Sequence, residues 1–257
     1  MRPHIAVTHA ARLSAKRRSA ASSSFEIESL ENRKLFAVTV TEGFPGFFEV
    51  VGDDAADNIS ISVSMHDHTF TLDGTTYADV SYISVQANGG NDVIDVNSVD
   101  GRGDIGAGIL GGDGMDSISL NFDGAIWGGE GDDFVNLTDS FYGQVLGEGG
   151  SDEIYVKGDC VSADIEGGDG NDFIDCSNSA LGLAIFGDAG NDTIYGSEFD
   201  DQVYGGSGRD IMIGGSGNDD FYSSDGELDS IVGGNGWDIL HADSKEGLVI
   251  GVEEIVV

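Results

Sequence analysis

The chain has 257 residues, 41 of them glycine and 2 proline, with a formal net charge of −36 at pH 7. Seven of its 11 basic side chains (Arg2, Arg12, Lys16, Arg17, Arg18, Arg33 and Lys34) fall within residues 1–34, so residues 35–257 carry 4 basic groups against 44 acidic ones. Such a body excludes nucleic acid as a partner, because phosphate binding needs Lys and Arg clustered on one face. No apolar run approaches the ~18 residues of a membrane span.

Residues 1–36 form a basic, Ser/Ala-rich leader, expected to be disordered, that ends in FEIESLENRKLFA. It has no continuous apolar stretch, so a conventional cleaved secretory signal is not evident. From Ala37 the composition changes to short alternating runs, AVTVT, FFEVV, NISISVSM, HTFTL and VSYISVQA, which read as strands. Asp73-Gly74 between the last two marks a hairpin turn. These runs predict a β-rich cap over residues 37–86. His66 and His68 flank Asp67 at i and i+2 without a nearby third ligand, a spacing that fits surface residues better than a transition-metal site.

From residue 87 a nonapeptide of the form G-G-x-G-x-D-x-U-x takes over, U being a large apolar residue. It reads GGDGMDSIS from Gly111, GGEGDDFVN from Gly128, GEGGSDEIY from Gly147, GGDGNDFID from Gly167 and GDAGNDTIY from Gly187. It continues as GSEFDDQVY from Gly196, GGSGRDIMI from Gly205, GGSGNDDFY from Gly214 and GGNGWDILH from Gly233, with weaker copies at Gly52 and Ala87. The aspartates step by 17, 19, 20 and 20 residues as far as Asp192 and by 9 as far as Asp219, as though two nonapeptides made one coil of about 18.

Two apolar columns test that period. One is Ile118, Val135, Ile154, Ile174, Ile194, Met212 and Ile231, which Ile250 would extend by a step of 19; the other is Ile109, Ile126, Val145, Ile165, Ile185, Val203, Phe221 and Leu240. They keep pace through every insertion, as one inward row from each side of a two-sheeted coil must. The fold class expected is all-β: a parallel β-roll of stacked two-stranded coils over residues 87–257, preceded by the cap.

The repeat resembles the hemolysin-type calcium-binding repeats of RTX proteins. That resemblance implies a β-roll in which each six-residue turn binds Ca2+ and each following triplet forms a strand. Glycine at positions one, two and four is expected to adopt φ > 0 and aim carbonyls inward, and aspartate at position six adds a charged oxygen. Two successive turns on one edge would then sandwich an ion that takes six or more oxygens. The ligand set implied is Asp116, Asp133, Asp152, Asp172, Asp192, Asp201, Asp210, Asp219 and Asp238, with Gly111, Gly114, Gly128, Gly131, Gly167, Gly170, Gly187, Gly190, Gly205, Gly208, Gly214 and Gly217 in the turns. Metal-free turns would need the glycines but would not keep the aspartates, which at about 5 Å apart repel by roughly 1 kcal/mol per pair.

Midway between the early aspartates stand Ala125, Tyr142, Val161 or Ser162, and Gly182, without the motif. One calcium edge is therefore expected in the first part of the roll and two over residues 196–241, for about seven ions in all. Cys160 and Cys176 read as small buried residues, and Trp127 and Trp237 as caps of coils. ESLENRKLFA also resembles a short leader motif of exported bacterial surface proteins.

The function expected is calcium binding that drives the folding of an exported or cell-surface structural protein, monomeric and without catalytic residues. An adhesive or matrix stalk with a polysaccharide partner is the alternative. A polysaccharide-modifying solenoid enzyme is disfavoured, since Arg102, Lys157, Arg209 and Lys245 are too sparse to line a groove for an acidic substrate.

Overall fold

A computed structural model describes residues 5–8, 24–28, 37–101, 103–139, 142–158, 164–243 and 247–257. Among the described residues there is no helix; the strands form one 14-stranded and one 12-stranded sheet. From Phe47–Val51 and Asn58–Ser64 onward, apart from one hairpin inserted in the first coil, the chain alternates between the two sheets, one strand to each per coil, and successive coils pair in parallel. A parallel β-solenoid results, as the two columns require.

The columns are its core. Ile109, Ile126, Val145, Ile165, Ile185, Val203, Phe221 and Leu240 are register partners in the first sheet, and each is 0 % exposed. Ile118 through Ile231 do the same in the second. One expectation fails at the end. Val249, not Ile250, pairs with Ile231, and Ile250 is 52 % exposed. The step to Val249 is 18, two unbroken nonapeptides, so a step of 19 would turn the wrong side chain inward.

Upstream, antiparallel pairing replaces the stack. Ala37–Phe44 runs against Phe47–Val51, while Thr69–Leu72 and Thr75–Ala78 form a hairpin on the second sheet. Asp73 and Gly74 make its turn with φ of 49° and 75°, the left-handed pair that a tight hairpin requires. Phe48, Phe70 and Tyr77 pack at ring separations of 4.6–5.7 Å across this end of the interior.

On the outer face of the first sheet Phe186, Tyr204, Tyr222 and His241 stack at 4.6, 4.3 and 4.6 Å with planes within 10°. Register-paired side chains one strand spacing apart produce such a stack. Trp127 lies on the same face, in register with Leu110 and Leu146, and Trp237 is 58 % exposed in a turn; neither caps a coil. Cys176 is buried in the interior, whereas Cys160 and most of the leader lie outside the described residues. His66 is exposed, and His68 Nε2 sits 3.3 Å from Asp104 Oδ1.

Candidate metal centre

The glycine turns of one edge lie where the chain passes from the first sheet to the second, those of the other edge where it passes back, and in them the motif aspartates come together. On one edge Asp57, Asp92, Asp116, Asp133, Asp152, Asp172, Asp192, Asp210 and Asp229 form a single row, every one at most 3 % exposed. Each backbone N–H donates to Oδ1 of the next aspartate along the chain, at 2.6–2.9 Å from Asp57 to Asp229. Asp201, Asp219 and Asp238 form a second row on the other edge, joined by the same bond at 2.9 and 3.0 Å. The division of motif turns between two edges is thus the one the spacing predicts.

The second carboxylate oxygen is the unusual feature. Oδ2 of Asp92, Asp116, Asp133, Asp152, Asp172, Asp192, Asp210, Asp219 and Asp238 is buried and accepts no hydrogen bond. Such an atom is costly to leave unmet. Asp201 differs: Ser197, at position two of its turn, donates to Oδ2 from its backbone N–H at 2.6 Å and from its hydroxyl at 3.0 Å.

Glycine at position one has a steric role and not the conformational one expected of it. Gly111, Gly128, Gly167, Gly187, Gly205 and Gly214 are not among the positive-φ residues. A Cβ on Gly111 would instead strike Asp116 Oδ2 and the carbonyl oxygen of Gly128 in the next coil. Gly128, Gly147, Gly167, Gly187 and Gly214 repeat that convergence of one carboxylate and one carbonyl on an open α-carbon. At position four the expectation holds: Gly114, Gly131, Gly170, Gly190, Gly208 and Gly217 have φ between 120° and 148°. Position two keeps φ > 0 where Glu148 and Asp188 replace glycine, at 76° and 73°, but not at Ser197.

Burial sets the electrostatics. It pushes the carboxyls of Asp133, Asp152, Asp192 and Asp219 from 3.8 to about 7, and those of Asp92 and Asp172 to about 6. The N–H of the preceding rung opposes the rise, and neighbouring carboxylates add to it. Asp116, Asp201, Asp210 and Asp238 are raised for the same first reason. Among the described residues no three acidic, imidazole or thiol groups converge, so a cation held here must take most of its ligands from carbonyls. That is the donor set of a hard ion.

Asp229 escapes the motif because its turn, SDGELD, has lost the glycines at positions one, two and four. Its signal was Ile231, two residues on, in the apolar column. A further ladder runs outside the turns at position five. There Ser151, Asn191 and Arg209 donate backbone N–H to side-chain oxygens of Asp132, Asn171 and Asn191 in the preceding coil, at 2.8–3.0 Å. No single residue type marks it, so the motif leaves that position blank.

A family model for the RTX calcium-binding nonapeptide repeat matches in 4 copies, over residues 125–139, 186–221 and 220–244. Neither a curated protein nor a solved structure matches the chain. The chain thus carries RTX-type nonapeptide repeats, and its coils stack as a parallel β-roll.

Proposed function

We propose that the chain binds calcium along its aspartate edges and that binding completes the fold of an exported structural β-roll. The observation that carries this is the row of buried carboxylate oxygens without a donor, those of Asp116, Asp133, Asp152, Asp172, Asp192, Asp219 and Asp238 each sharing an open glycine face with a carbonyl of the next coil. Ionised and unpaired, those carboxylates oppose folding. The residues fit the ion: oxygen donors only, carboxylate and carbonyl, with no side chain in the space between them. Bound calcium supplies the opposing charge. Asp116, Asp133, Asp152, Asp172, Asp192, Asp210, Asp219 and Asp238 would hold it with carbonyls of the glycine turns, and each shared aspartate couples one site to the next. Asp201, already saturated by Ser197, would contribute least. About seven ions follow from the motif turns alone, and Asp57, Asp92 and Asp229 extend the first row beyond them.

In this account residues 37–86 act as a β-rich cap and 87–257 as the calcium-binding roll of a monomer without enzymatic activity. The adhesin alternative gains little from the aromatic stack. Rings stacked face to face cover one another and turn their edges outward, whereas stacking on a sugar needs an open face.

The test is a far-ultraviolet circular dichroism titration with calcium, coupled to equilibrium dialysis, on the intact chain and on Asp152→Ala. We expect cooperative gain of β structure in the intact chain, poor substitution by magnesium, and loss of more than one ion in the variant. A β spectrum in chelator indistinguishable from that in calcium would refute the proposal.

A further inference from the structure

Resting on that reading, we propose that the second edge ends in a cation site outside the nonapeptide motif, built from Gly233, Asp238, Gly251 and Glu253. Here Glu253 stands where another aspartate would continue the row. The first-position glycines of this edge are Gly196, Gly214 and Gly233, and Gly251 follows Gly233 by 18 residues, the step from Gly196 to Gly214. A Cβ on Gly196 would meet the Gly214 carbonyl oxygen at 2.5 Å, and one on Gly214 would meet that of Gly233 at 2.7 Å. One on Gly233 would overlap the carbonyl of Gly251 and approach Asp238 Oδ2 to 2.5 Å. Gly251 therefore presents its carbonyl as a motif glycine does.

After Gly251 the turn is cut short. An acid follows two residues later instead of five, and the next strand begins at once, with Glu254 opposite Ile239. Glutamate brings one more methylene than aspartate, which extends the reach of a shortened turn. The Asp238 N–H donates to Glu253 Oε2 at 2.9 Å, the bond that Asp201 makes to Asp219 and Asp219 to Asp238. Asp238 is 0 % exposed, and its Oδ2 points at this space without a hydrogen-bond partner. The charge of Glu253 acts on it, so two anions face each other at the end of the row. A divalent ion with a preference for oxygen, calcium in this chain, is the ligand that resolves both.

The experiment compares the intact chain with Glu253→Gln, Glu253→Asp and the neighbouring control Glu254→Gln. Calcium bound per chain is measured by equilibrium dialysis, and amide protection of residues 254–256 by hydrogen exchange. Glutamine keeps an acceptor for the Asp238 N–H and removes only the charge, so a purely structural Glu253 would tolerate it. We expect E253Q and E253D to lose one ion and the calcium-dependent protection of residues 254–256, with E254Q unchanged. E253Q binding the full complement with protection intact would overturn the terminal site alone. An intact chain that binds no calcium would overturn the proposed function with it.

Discussion

Acid should substitute for calcium. The six carboxyls of Asp92, Asp133, Asp152, Asp172, Asp192 and Asp219 sit at about 6 or 7 in the folded roll, against an ordinary value of 3.8. Between those limits the folded chain holds protons that the unfolded chain does not. Lowering the pH through 7 and 6 therefore favours the fold, and raising it through the same window removes the gain. A group at about 7 contributes at most about 2.7 kcal/mol between pH 8 and pH 5, and a group at about 6 half of that. Water at the turn edges screens part of this, leaving about 1 kcal/mol each. Six such groups approach the ~5–15 kcal/mol that separates a folded domain from its unfolded chain. The assay is circular dichroism of the chelator-treated chain from pH 8 to pH 5, with sedimentation to exclude aggregates. We expect β structure to appear as the pH falls, and the calcium midpoint to rise between pH 8 and pH 6, because protons and calcium compete for the same oxygens. A chelated chain with the same spectrum at pH 5 as at pH 8 would refute the claim that buried charge is what holds the apo roll open.

Gly170→Ala should disrupt the array far more than Gly74→Ala. Both have positive φ, 148° and 75°, but a Cβ at position 170 overlaps the Gly150 carbonyl, whereas at 74 nothing lies within 4 Å. Gly74→Ala should cost about 1–2 kcal/mol from backbone strain, measured by urea unfolding in calcium, and equal losses at both sites would contradict the close approach of the turns. Phe221→Ala empties a fully buried position between Val203 and Leu240 and should cost about 3–5 kcal/mol in the same assay. A loss under 1 kcal/mol would mean that the coils collapse onto the gap.

The parts of the fold that repeat were legible in the sequence, because a stacked coil forces equal residues to equal positions. The columns of Ile, Val and Phe and the strict aspartates follow from that constraint alone. What escaped depends on contacts between particular coils. Asp229 keeps its place although its glycines are gone, held there by its hydrogen bond with Asp210. Ser197 disarms Asp201 through a hydroxyl at position two, where the motif has glycine. Val249 and Ile250 are both apolar, and only the register decides between them. The motif also hides two different demands for glycine, space at position one and a left-handed backbone at position four.

The inner ladder has a direction. Every rung offers its N–H toward the C-terminal end and its carboxylate oxygen toward the N-terminal end. A stack of coils therefore has unlike poles, as an actin filament does: one terminus presents acceptors and the other donors. At the first pole Asp57 Oδ1 finds no donor; at the other, Glu253 receives the last N–H of the second edge. Coils can be inserted or removed in whole units with the polarity intact. A reversed coil would set acceptor against acceptor, so growth and shortening of such a protein are confined to one orientation between two chemically distinct ends.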